Sequence, residues 1–134
     1  MLDPNDKLAI FALYAEYNRT IDAGDAPAWS RTFAEDGAFH HPTRTFSGRA
    51  QLEAFVTTRA AKMATQPVDR QRHWNDNIVV DGSGGSATGS CELLVVGFEC
   101  GTGKPTVVAL GSYSDEIVKS GSTWLFRQRS LRVS

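Results

Sequence analysis

The residues able to move a proton near neutral pH are few, for the chain holds only three histidines, His40, His41 and His73. His73 lies in Arg72-His-Trp-Asn-Asp-Asn-Ile-Val-Val80. Strand alternation puts His73, Asn75, Asn77 and Val79 on one face and Trp74, Asp76, Ile78 and Val80 on the other. A His, Asn and Asn face suits the wall of a polar-centred pocket, and it suits plain solvent as well. His40 and His41 are adjacent, so a strand turns one ring inward and the other outward. Asp22 falls in the last turn of the first helical segment, where a carboxylate meets the negative end of the helix dipole. That position costs about 0.3–1 kcal/mol unless a donor or cation compensates, so Asp22 is either solvated or paired. His73, one of His40 and His41, and Asp22 would make three metal ligands, but no His-x-His or His-x-x-x-His spacing supports them and no metal is expected. There is no Gly-x-Ser-x-Gly elbow, Cys-x-x-Cys pair or phosphate-cradling loop.

Three helices and four long strands must position these groups. Asp3-Pro4-Asn5-Asp6 supplies a cap, a proline at the first helical position and an acidic first turn. Ile10, Tyr14, Tyr17 and Ile21 then recur at helical spacing, so helix 1 is expected from Pro4 to about Ala23, stopped by Gly24. Asp25-Ala26-Pro27 opens a second short helix through Trp29 and Phe33, ending at Glu35-Asp36-Gly37. Gly37 to Pro42 is a short strand. A third helix follows Ser47-Gly48, with Leu52, Phe55, Val56, the stem of Arg59 and Met63 on its apolar face, and ends before Pro67. From Gln71 the period changes to two, over Gln71–Asp81, Ser86–Cys100, Thr106–Lys119 and Thr123–Val133, with turns short enough to make consecutive strands antiparallel. Helices first and a meander after is an α+β pattern, in which a curved sheet closes around three helices and leaves a pocket at its mouth.

The composition narrows the function. With 14 Lys+Arg against 15 Asp+Glu the formal charge is −1, and no basic run marks a nucleic-acid face. No apolar run approaches the ~20 residues of a spanning helix, and the acidic N-terminus lacks the character of a signal peptide, so a cytoplasmic single domain is expected. Cys91 and Cys100 read as reduced thiols. Among the aromatics, Tyr14, Trp29, Phe33, Phe39, Phe55 and Phe126 are candidates to line the pocket beside His40 and Asn77. The ligand would then be a small, flat, largely apolar molecule.

One combination of motifs runs nearly the length of the chain: Tyr14-x-x-Tyr17 with Asp22-Ala-Gly-Asp25, Trp29-x-x-x-Phe33-x-x-Asp36-Gly-Ala, Arg72-His73-x-x-x-Asn77, Gly111-x-Tyr113-x-Asp115-Glu116 and Trp124-x-Phe126 with Arg129. It resembles the SnoaL-like branch of the NTF2-like superfamily, the branch of scytalone dehydratase and hexachlorocyclohexane dehydrochlorinase. The resemblance implies a cone-shaped α+β barrel with a deep pocket, often dimeric through its sheet. It also implies an Asp at the end of the first helix paired with a His on the strand after the third. Asp22 and His73 match those positions. His41, or else His40, falls where scytalone dehydratase has a pocket Tyr, and Ile21 replaces its other one.

By that resemblance the chemistry is a cofactor-independent elimination, dehydration or isomerisation of a small hydrophobic, oxygenated cyclic compound. His73 takes a proton, Asp22 fixes its tautomer, Tyr17 or His41 protonates the leaving group, and Asn77 holds a carbonyl or orients His73. Asp22 raises the His73 pKa and burial lowers it, with the net sign open. A cationic His73 would also offset the cost of Asp22 at its helix end. The competing expectations are a non-catalytic binding module, favoured if Trp74 rather than His73 faces inward, and a structural subunit like the β chains of ring-hydroxylating dioxygenases. A homodimer is expected through the outer sheet, where Leu94, Val96, Phe98, Val108 and Leu110 form an apolar strip.

Overall fold

A computed structural model describes all 134 residues. The chain forms α1 (Pro4–Ala23), α2 (Ala26–Ser30), β1 (Phe33–His41), β2 (Arg44–Ser47), α3 (Gly48–Met63), β3 (Val68–Ser83), β4 (Ser86–Glu99), β5 (Pro105–Ser120) and β6 (Thr123–Val133). The expected caps hold. Asp3 accepts from the Asp6 amide at 2.9 Å, Asp25 accepts from the Ala28 amide at 3.1 Å, and Gly24 ends α1 in the left-handed conformation at φ 69°, which glycine adopts without steric cost.

The six strands form one mixed sheet in the order β2-β1-β6-β5-β4-β3. The meander β3 to β6 is antiparallel as expected, whereas β1 runs parallel to β6. Two expectations need correction. The second helix stops at Ser30, and Phe33 begins β1 instead, because the Thr32 carbonyl accepts the Phe126 amide at 2.9 Å and so starts the pairing with β6. The loop after Pro42 also returns as the short strand β2.

Beyond Gln71 the sequence alternation along β3 breaks at one residue. Asn77 adopts φ 51°, its amide held by its neighbour Asp76 at 2.8 Å, and the pairing with β4 slips between Asp76 and Val79. The bulge reverses the faces beyond it: His73 and Asn75 turn inward, then Ile78 and Val80, while Asn77 and Val79 face solvent. Asn77 is therefore corrected from pocket wall to exposed bulge.

The core fills the concave side of the sheet. Tyr14, Tyr17, Trp29, Phe33, Phe39 and Phe126 are each no more than 2% exposed, packed edge to face or tilted at centroid distances of 5.1–6.4 Å. Gly89 admits this packing, since a Cβ there would stand 2.2 Å from the Tyr14 hydroxyl oxygen.

Candidate active site

Asp22 and His73 meet. The Asp22 Oδ1 lies 2.7 Å from the His73 Nδ1, and the His73 backbone amide donates to both carboxylate oxygens at 3.1 Å. No basic residue occupies the last turn of α1, so the compensation that Asp22 needs at the negative helix end comes from β3. A stitch one turn earlier fixes the two elements: Asn18 donates its Nδ2 to the Asn75 Oδ1 at 2.8 Å, and Asn75 donates to the Glu92 carbonyl at 3.1 Å.

A carboxylate only accepts, so the His73 Nδ1 carries the proton and Nε2 keeps its lone pair. Nε2 has no hydrogen-bond partner and is not sealed from solvent, although the side chain is only 10% exposed. Burial pushes the His73 pKa down. The hydrogen bond to Asp22 pulls it up, Arg59 pushes it down again, and the net direction is below 6.5. The imidazole is thus neutral near neutral pH. This replaces the expected cationic offset, because hydrogen bonds rather than a positive ring balance Asp22.

Asp22 borders one of two nearby cavities, and His73 lines neither. A smaller one of about 250 Å³ is lined by Ile21, Asp22, Val56 and Arg59 among others. A larger one of about 720 Å³ opens between β1, β2, α3 and β3, lined by His41, Phe46, Phe55, Arg59 and Gln71 among others, and its size is ordinary for a small-molecule site. Arg59 and Met63 line both. Arg59 reaches in from α3 and donates its Nη2 to the Gln71 Oε1 at 2.8 Å. Burial lowers its pKa against the upward pull of Asp22, Tyr17 and Tyr113.

The other candidates divide. His41 lines the larger cavity and accepts the Thr43 amide on Nδ1 at 3.4 Å, which leaves Nε2–H as its free donor. Burial lowers its pKa. His40 is on the opposite side of the strand, between Thr45 at 3.0 Å and the Gln128 side chain, so it leaves the pocket set. Phe55 lines the larger cavity, whereas Tyr14, Tyr17, Trp29, Phe33, Phe39 and Phe126 line neither and pack as core. No group of three His, Cys, Asp or Glu is gathered as a metal site.

Beneath the core aromatics lies a buried ion pair that spacing alone did not single out. Arg129 is 0% exposed, its Nε 3.1 Å from the Asp115 Oδ1 and its guanidinium carbon 3.5 Å from the Tyr113 ring centre and 4.2 Å from that of Tyr17. Tyr14 donates to the Asp115 Oδ2 at 2.5 Å. Burial opposes the Arg129 charge, but Asp115 and the tyrosines hold its pKa above the ordinary value. Tyr17, expected as a proton donor, belongs to this layer: burial raises its pKa strongly. Arg59 was read only as an apolar stem. Its signal was an arginine at a position of α3 that otherwise buries Leu52 and Val56.

Comparison with known proteins agrees with this fold. The model of the SnoaL-like domain matches residues 4–130, and no curated protein matches the sequence. A variant of Rv3472, a protein of unknown function from Mycobacterium tuberculosis, is 28% identical with a TM-score of 0.87, over 98% of this chain and 78% of that one. An NTF2-like protein with a cystatin-like fold from Novosphingobium aromaticivorans is 26% identical with a TM-score of 0.84, over 96% and 82%. A provisionally assigned scytalone dehydratase from the same organism is similar in fold, with 21% identity and a TM-score of 0.80 over 96% and 84%. With three helices on a six-stranded mixed sheet of the NTF2-like, cystatin-like kind, the chain belongs to the SnoaL-like domain family.

Proposed function

We propose that the protein is a cofactor-independent lyase or isomerase in which His73 is the base and Asp22 holds it. The observation that carries this is the 2.7 Å contact from Asp22 to the His73 Nδ1, with Nε2 left without a partner and Asp22 itself on the wall of the smaller cavity. A neutral imidazole whose other nitrogen is committed to a carboxylate has the tautomer a general base needs. His73 takes a proton from a carbon next to a carbonyl, or from a hydroxyl. Electrons from that bond form the new double bond as the leaving oxygen departs. The proton on His73 then accompanies the departing hydroxide as water, so the elimination balances without another reagent. His41 steadies the leaving oxygen with a hydrogen bond from its Nε2–H and keeps that proton, Phe55 and Phe46 hold a ring, and Tyr17 supports the floor rather than donating.

The assembly proposed is a homodimer through the outer face of the sheet. Trp74 stands opposite Leu94 and Leu94 opposite Leu110, with Trp74 56% and Leu110 53% exposed. Val108 leaves the expected strip, since a side chain at Gly97, on the inner face, would meet it and it lines the larger cavity.

The test is a panel of hydroxylated cyclic ketones and phenols incubated with the protein in deuterated water. Loss of water or incorporation of deuterium should occur with at least one compound and vanish in His73→Gln, while the variant remains folded. Undiminished turnover in His73→Gln ends the assignment.

A further inference from the structure

We propose that the larger cavity selects an anionic ring compound, a carboxylate or the acidic enol or phenol of a cyclic ketone, and that Arg59 is the residue that holds its charge. The inference rests on substrate entering this cavity, as in the lyase reading, and names the substrate class.

Charge distribution is the first ground. The chain as a whole carries a formal charge of −1, yet the fourteen residues lining this cavity include Arg44, Arg59 and Lys62 and not one Asp or Glu. Three cations without a counter-charge in one cavity raise the local concentration of anions. Arg59 is the second ground. Its only hydrogen bond is to the neutral Gln71 amide, and it makes no ion pair, in contrast to Arg19, Arg70, Arg127 and Arg129, each of which has a carboxylate within 4.0 Å. Arg59 is half-buried, and its remaining N–H donors are unpartnered but not sealed from solvent, so they are free to meet a ligand. A planar carboxylate or enolate supplies the matching acceptors.

Position is the third ground. Arg59 lines both cavities and shares the smaller one with Asp22, the carboxylate that holds His73 at 2.7 Å, so an anion on its guanidinium stands near the Asp22–His73 pair. Phe46 and Phe55, 4.9 Å apart by ring centres, then offer the ring of that compound an aromatic wall. An enolate formed when His73 removes a proton would meet the same cation, so one residue serves both recognition and charge development.

The experiment is a calorimetric titration of the full chain at neutral pH with 2-naphthoate and with 2-naphthamide, equal in shape and different in charge. The acid should bind about tenfold or more tightly than the amide, the scale of one charge-assisted hydrogen bond. In Arg59→Gln the two affinities should converge, and Arg59→Lys should keep part of the preference, which carries the test if Arg59→Gln does not fold. His73→Gln should retain the full preference. Equal binding of both compounds, an unchanged preference in the Arg59 variants, loss of it in His73→Gln, or no binding of either compound overturns the proposal. Absence of turnover with the acid still preferred counts against the lyase reading alone.

Discussion

Two aspartates in this protein face two basic side chains, and the contrast between them separates chemistry from structure. Asp22 and His73 meet at 2.7 Å near the surface, with side chains 24% and 10% exposed, and one ring nitrogen of the pair is left open. Asp115 and Arg129 meet at 3.1 Å with both side chains 0% exposed, walled by Tyr14, Tyr17, Tyr113 and Phe126. Arg129 cannot give up its proton and no cavity reaches it, so that pair ties α1, β5 and β6 together. His73 can change charge, and its unpartnered Nε2 is not sealed from solvent. An aspartate set against a basic side chain thus does different work in the two places because of access and pKa.

Substitutions can break or sharpen this contrast. His73→Gln should lower kcat/KM by about 10²–10⁴-fold, the usual contribution of a general base, with a melting temperature close to that of the parent protein. Arg129→Leu should do the reverse and strip about 3–5 kcal/mol of stability, because it leaves Asp115 buried without its cation. Chemical denaturation reads this directly. Tyr14→Phe removes the 2.5 Å bond to Asp115 and should cost about 1–3 kcal/mol, again by denaturation, without moving the pH profile of activity.

The pH dependence is a smaller effect with a defined sign. The folded His73 pKa lies below the ordinary value of 6.5, so the unfolded chain binds this proton first. Stability from this group is complete above pH 6.5 and declines as pH falls toward the folded pKa. Activity should follow the same titration, falling on the acid side with a midpoint below 6.5 in a profile of kcat/KM. Leu110→Lys, on the outer sheet face, should shift sedimentation from dimer to monomer and leave the Asp22 to His73 contact intact.

Caps and periods made much of this architecture legible. Asp3, Gly24 and Asp25 marked the ends of α1 and α2 through local chemistry, and the change of period at Gln71 marked the sheet. What local pattern could not reveal depended on distant partners. Phe33 reads as helical until β6 supplies a neighbour, and Asn77 reads as inward until one residue bulges out of register. The same division holds at the site. Asp22 was conspicuous because it sat at the wrong end of a helix dipole, and the structure brings it to His73. Arg59 was not, because its apolar stem satisfies the helix period while its guanidinium acts several residues away. The sealed aromatics were misassigned to the pocket because burial in a core and lining of a cavity ask for the same residue types.

The central claim is that His73 is a neutral base held by Asp22, and the direct measurement is nitrogen NMR of the imidazole across a pH titration. The account predicts a neutral ring at neutral pH with the proton on Nδ1, a bare Nε2, a midpoint below 6.5, and a further fall in that midpoint in Asp22→Asn. A proton on Nε2 in the neutral ring, or a midpoint above 6.5, would contradict it.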